Sequence, residues 1–214
     1  MKTTCSVKLY LAIVVLALAL VSGSCATAPK AERYVAPPLG STLSFRTTST
    51  GSFGSGTRES TSKVTERMWE GKRMIAFVSP TGTLLETADG TGAFVAMLGP
   101  DDKPIISWDP PATYNWPLEV GKTWTKSYRM TIHPKNQTIS YDNTVKVEAY
   151  EDVSVPAGTF KVFKVSSSST LGESVQWFSP ELGVFVKNIQ KRPANSPLGP
   201  GTSDQELVSQ TVMK

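Results

Sequence analysis

From residue 123 the chain alternates between large apolar and small polar side chains. Trp124, Tyr128, Met130 and Ile132 fall on one parity, and Thr123, Thr125, Ser127, Arg129 and Thr131 fall on the other. A period of two over Thr123–His133 predicts an antiparallel strand with one buried and one solvated face. Val145, Val147, Ala149, Val153 and Val155 predict its partner over Thr144–Val155. The connecting turn is expected at Ser140–Asn143, whose side chains bond readily to their own backbone. Val155-Pro156-Ala157-Gly158-Thr159 reads as a type I turn with Gly158 in the left-handed position, a three-residue loop that returns the chain into Phe160–Ser166.

The same vocabulary recurs from Leu43 onward. Short runs of Thr, Ser, Val and aromatics are broken by Gly, Pro and Asp, which predicts strands over Arg67–Trp69, Arg73–Ser79, Thr83–Thr87, Ala93–Leu98, Ile105–Trp108, Val175–Phe178 and Val184–Ile189. Ser179-Pro180-Glu181-Leu182-Gly183 joins the last two as a hairpin, and Gly51–Gly56 reads as a hairpin tip. No stretch holds a helical period. Strands this numerous must close or curl into two layers. The expected fold class is therefore all-β, a single strongly curved antiparallel sheet of meander topology forming a half-barrel or open barrel.

The amino end follows a different plan. Lys2 and Lys8 precede the apolar run Leu9–Val21, and Ser22, Gly23 and Ser24 then lead into Cys25. Thirteen apolar residues fall short of the ~20 that span a bilayer as a helix, so the run reads as a cleaved export signal. The cleavage region resembles the lipobox of bacterial lipoproteins, with Ser22 where that family usually has Leu. The resemblance implies a diacylglyceryl group on Cys25, which becomes the first residue of the mature chain. The alternative is a soluble secreted chain cut after Ala26-Thr27-Ala28, directly before Pro29. By the lipobox reading, residues 1–24 are a signal peptide, residues 25–41 a lipidated terminus and flexible tether, and residues 42–214 the β domain. No Asp follows Cys25, which by the same resemblance implies the outer membrane, with the domain facing the periplasm. Cys5 leaves with the signal, so the mature chain has no second cysteine for a disulfide or a Cys-based metal site.

Composition changes this picture little. The full chain carries a formal charge of +4, and loss of the two leader lysines lowers it to +2. Basic residues are interspersed with acids, which argues against nucleic acid as a partner. Gly121-Lys122-Thr123 imitates the end of a phosphate loop, but Trp116 occupies the first glycine position and a strand follows where a helix is required. His133 is the single histidine, and no Gly-x-Ser-x-Gly elbow is present. Asp101 and Asp102 lie in a turn. No catalytic residue, metal ligand or cofactor site is assigned, and the domain is expected to be non-enzymatic.

Three segments carry a wider resemblance: Trp116-Pro117-Leu118-Glu119-Val120-Gly121-Lys122-Thr123-Trp124, Val155-Pro156-Ala157-Gly158-Thr159-Phe160, and Trp177-Phe178-Ser179-Pro180 followed by Gly183. Together they resemble a group of uncharacterised bacterial secreted and lipoprotein β domains. Because these are turn and packing motifs, the resemblance implies fold and location and no chemistry. Trp108, Tyr114, Trp116 and Trp124 crowd around Pro110-Pro111 and are the candidate ligand or partner contacts, or else the plug of one end of the sheet. The expected function is a lipid-anchored envelope protein, held to the membrane by its amino-terminal lipid, with a binding or structural β domain for an envelope protein. The alternatives are a soluble periplasmic carrier of an apolar, acyl-chain-like ligand and an envelope hydrolase.

Overall fold

The structure, a computed structural model, describes residues 29–213. The signal peptide and Cys25 lie outside the described residues. Fourteen strands run in order: β1 (Lys30–Ala31), β2 (Thr42–Gly51), β3 (Gly56–Trp69), β4 (Lys72–Ser79), β5 (Gly82–Thr87), β6 (Phe94–Leu98), β7 (Pro104–Ala112), β8 (Leu118–Glu119), β9 (Thr123–Ile132), β10 (Gln137–Val155), β11 (Gly158–Ser169), β12 (Gly172–Ser179), β13 (Val184–Arg192) and β14 (Gly201–Thr211). Twelve of them form one closed antiparallel barrel, and β1 pairs with β8 in a separate ribbon. Among the described residues no helix is long and apolar enough to cross a membrane.

The all-β meander is as expected, but the barrel is closed and not open. Closure comes from β14 pairing along β2, from Gly201 opposite Gly51 to Thr211 opposite Thr42. Thr50 and Thr202 hydroxyls meet at 2.7 Å across this seam. The polarity of both faces of β14 hides it from a hydrophobic pattern.

Two turns also differ from expectation. Residues 140–143 are strand: β10 starts at Gln137, and the chain reverses at His133–Asn136, where Asn136 takes a left-handed conformation at φ 46°. Ser140 and Asp142 lie on the outer face, alternating with Ile139, Tyr141 and Asn143. Their polarity reflects exposure and not a turn. At the far end of β10, Val155 pairs directly with Gly158, so the loop has two residues, Pro156 and Ala157, and not three.

Six connections define one end of the barrel: those between β2 and β3, β4 and β5, β6 and β7, β9 and β10, β11 and β12, and β13 and β14. The opposite end holds the remaining turns and the amino-terminal segment. The part of the expected tether from Pro29 onward belongs to the domain. Tyr34 is 7% exposed, its N–H donates to the Gly90 carbonyl at 3.1 Å, and Ala31 pairs with Leu118. A mixed cluster of Tyr34, Leu118, Val145, Val147, Phe163, Val165 and Phe178 fills this end. A second cluster joins Leu43, Val64 and Leu207 to Phe160, Val162 and Val186. There the pairing of β14 with β13 ends at Glu206, β14 bulges against β2 at Val208, and the β10–β11 tip takes up the freed edge, with the Ala157 N–H donating to the Leu207 carbonyl at 3.2 Å.

Candidate functional site in the barrel interior

Strand register sorts the inward side chains into layers. Directly paired residues in an antiparallel sheet share a face. Nearest the plugged end, Phe163, Phe178 and Phe185 stand side by side on β11, β12 and β13. One step along, the row is Val165, Gln176, Asn188, Gln205 and Thr47, running from β11 across to β2. The next row is Ser167, Ser174, Gln190, Ser203 and Ser49. Aromatic, amide and hydroxyl layers thus succeed one another within about four residues of strand, roughly 13 Å at the usual rise.

Part of each polar row is buried, Val165 and Thr47 in the first and Ser49 in the second. Gln176, Asn188, Gln190, Ser203 and Gln205 are half-buried. Local bonds satisfy part of them: Gln205 Nε2 donates to Thr47 at 3.2 Å, the Ser167 and Ser174 hydroxyls meet at 2.8 Å, and the Tyr114 hydroxyl donates to Gln176 Oε1. Asn188 Oδ1 and Trp124 Nε1 are buried without a protein partner. Trp124 belongs to the same hydroxyl layer, through Val145 and Ser167. One orphaned acceptor and one orphaned donor therefore face the same interior. Buried polar groups normally have partners, so such a pair marks a place for a polar guest.

The four aromatic residues singled out from the sequence do not form one patch. Tyr114, Trp116 and Trp124 are half-buried against the plug. Tyr114 meets Trp124 edge-on at 6.1 Å and Phe185 at 5.5 Å, and burial pushes its phenol up, keeping it neutral. Trp116 packs on Phe178 and donates to the Thr91 carbonyl at 2.9 Å. Trp108 lies elsewhere on the wall, paired with Met130. The amide and hydroxyl rows were missed in the sequence. Their one signal is polar residues on the inward parity of strands, as with Gln176 two places before Phe178.

Other parts of the surface offer less. His133 Nε2 lies 2.9 Å from the Ser107 hydroxyl. The pair is exposed, and among the described residues no carboxylate bonds the second ring nitrogen, which a serine nucleophile needs for orientation. An open groove of about 550 Å³ beside β9 and β10 is lined by Asp109, Ser127, Arg129, Ser140 and Asp142. Its charged groups are already paired: Arg129 bonds Asp109, and Ser127 bonds Asp142 at 2.6 Å. Among the described residues no group of three or more His, Cys, Asp or Glu converges as a metal site.

The outer face is polar on β2, β3, β9, β10, β11 and β14, whereas on β4, β5 and β6 the face that register joins to it carries the buried apolar cluster of Met74, Ala76, Leu85, Ala96 and Leu98. Arg46 bridges Glu59 at 3.0 Å and Glu206 at 3.5 Å, Lys161 meets Asp152 at 2.7 Å, and Thr125 meets Thr144 at 2.9 Å.

Against known proteins, no family model and no curated protein matches the sequence. Solved structures do. A protein of Bacteroides fragilis NCTC 9343 described as exported, with a YmcC-like fold, is similar over 84% of this chain and 99% of its own, at 15% identity and a TM-score of 0.49. A chain described as a lipoprotein from Parabacteroides distasonis ATCC 8503 is 12% identical over 85% of this chain and 99% of its own, with a TM-score of 0.44. The hypothetical lipoprotein YmcC of Escherichia coli K12 is 10% identical over 80% of this chain and 86% of its own, with a TM-score of 0.43.

Proposed function

We infer that this chain is a lipid-anchored envelope protein, attached through Cys25, whose barrel is a non-enzymatic binding domain. One observation carries the reading: the chain enters the barrel at its plugged end, where Lys30 pairs with Glu119 and Tyr34 is buried. Only three residues lie between Cys25 and Pro29, so four Cα-to-Cα steps reach at most about 14 Å. An anchor on Cys25 therefore holds the plugged end at the bilayer and turns the polar end into the aqueous space. Outer-membrane attachment with a periplasm-facing domain is the location that fits the residues after Cys25.

The outer face supports anchoring over spanning. Transmembrane barrels carry an apolar band outside, whereas Arg46, Glu59, Glu206, Lys161 and Asp152 stand on the outside here. Amide and hydroxyl rows are a poor lining for an acyl chain, which would leave Asn188 Oδ1 and Trp124 Nε1 without a partner. The interior suits a polar guest better than the apolar ligand of a carrier.

The test is intact mass and membrane fractionation of the protein made in a bacterium, beside Cys25→Ser. A mature chain beginning at an acylated Cys25 is expected, with the variant unprocessed or released from the membrane. An unmodified chain beginning elsewhere overturns the anchor.

A further inference from the structure

We propose that the polar half of the barrel interior binds an acidic, hydroxyl-rich ligand of the saccharide type. The proposal rests on the reading of the barrel as a binding domain and is independent of the anchor.

The hydroxyl and amide rows set the first half of the ligand's chemistry. Gln176, Asn188 and Gln205 in one row, and Ser174, Gln190 and Ser203 in the next, offer paired donors and acceptors at the spacing of neighbouring strands, about 4.8 Å. A sugar ring presents vicinal hydroxyls that both donate and accept, so one ring can engage two adjacent strands. The unpartnered Asn188 Oδ1 and Trp124 Nε1 supply an acceptor and a donor that no protein group uses. Trp124 in the hydroxyl layer and Tyr114, bonded to Gln176 in the amide row, add aromatic surface.

The charge comes from the mouth. Lys126 shares the inward face of β9 with Trp124 and Tyr128, and it pairs with Asn143. Arg192 follows Gln190 on β13, stacked 3.8 Å from the Phe53 ring centre and donating to the Ser52 hydroxyl at 3.1 Å. Below the mouth, Arg58 stands opposite Thr47 and carries the amide row onto β3, where it is exposed. Three cations thus face inward, and none has a carboxylate within ion-pairing distance among the described residues. No carboxylate occupies either polar row. Asp204, Glu206, Glu59, Asp142 and Glu173, on the strands that reach this end, hold outward register positions, beside Thr48, Arg46, Ser127 and Lys191. A cationic rim over neutral hydrogen-bonding walls selects negative charge at the entrance and hydroxyls within.

The test uses the full chain solubilised in detergent and follows tryptophan fluorescence and calorimetry. The probes are oligogalacturonate and a chondroitin sulfate oligosaccharide, with neutral maltohexaose and inorganic phosphate as comparisons. Saturable binding of an acidic oligosaccharide is expected, weakening as salt rises. Lys126→Glu should lower that affinity about tenfold or more. Ser203→Leu, which fills the hydroxyl row, should abolish it, whereas Thr202→Leu on the outer face of the same strand should not. Thermal unfolding of each variant separates lost binding from lost fold. Absence of binding by both acidic oligosaccharides overturns the proposal. So does equal affinity for maltohexaose, or inorganic phosphate competing at the same concentration as the oligosaccharide. Because solubilised protein is used, these results do not depend on where the chain resides in the cell.

Discussion

The Tyr34 hydroxyl donates to Glu86 Oε2 at 2.5 Å, joining the amino-terminal segment to β5 across 52 residues of sequence. Glu86 is 6% exposed and Tyr34 is 7% exposed. Burial pushes the Glu86 carboxyl up to about 8, a rise that the Tyr34 bond opposes only in part. Burial and the neighbouring carboxylate likewise push the Tyr34 phenol up. Tyr34→Phe keeps the ring between Trp116 and Phe178 but removes the donor. A loss of about 1–3 kcal/mol is expected for the buried acceptor left behind. Urea unfolding of the two proteins checks it.

Glu86 also gives stability a pH dependence of a definite sign. Its folded pKa of about 8 lies above the ordinary carboxylate value of 4.5, so between those limits the folded state binds more protons than the unfolded state. Stability from this group is complete at low pH and is lost as pH rises toward 8, by up to about 1.4 kcal/mol for each pH unit. Denaturation midpoints should fall from pH 5 to pH 8, and Glu86→Gln should flatten the profile. A profile that rises through this range contradicts the assignment.

The layering of the interior predicts unequal costs for truncating inward side chains. Phe163 is 1% exposed and pressed on Tyr150 at 4.7 Å, so Phe163→Ala should cost about 3–5 kcal/mol. Gln190 faces the same interior but is half-buried. Gln190→Ala should cost under about 1 kcal/mol, close to a surface change. Chemical denaturation of both variants measures the contrast, and equal costs would mean that the hydroxyl layer is packed core.

Gly183 lies where the β12–β13 turn touches the amino-terminal segment. Its φ is +68°, and an added Cβ would overlap the Val35 carbonyl oxygen. Gly121 has φ +88° with open space around it. Gly121→Ala should cost about 1–2 kcal/mol from backbone strain alone, and Gly183→Ala should cost more because the segment must move. Limited proteolysis near Tyr34 is expected to accelerate in the second variant only.

How much of this was legible depends on what each strand does with its polar residues. β9 was readable because Tyr128 and Met130 face in and Arg129 and Thr131 face out. β14 was not, because Ser203 and Gln205 face in while Thr202 and Asp204 face out. Hydrophobic periodicity measures the contrast between two faces and vanishes when both are polar. The same blindness turned Ser140–Asn143 into a turn and left the barrel open. The rows that make the interior polar are thus the reason the sequence concealed them. The aromatic floor was legible as a cluster, but which face it occupied depended on pairings between distant strands.

Synthesis runs from the amino end, so β2 is made early and then waits for β14, whose Thr202 pairs with a threonine 152 residues earlier. Until the last dozen or so residues emerge, both sheet edges carry unpaired backbone groups and can recruit other strands. Contacts so distant in sequence form slowly. The nascent chain therefore needs shelter until its final strand is available, and shortening the carboxyl terminus past Gly201 is expected to yield aggregates and not a smaller barrel.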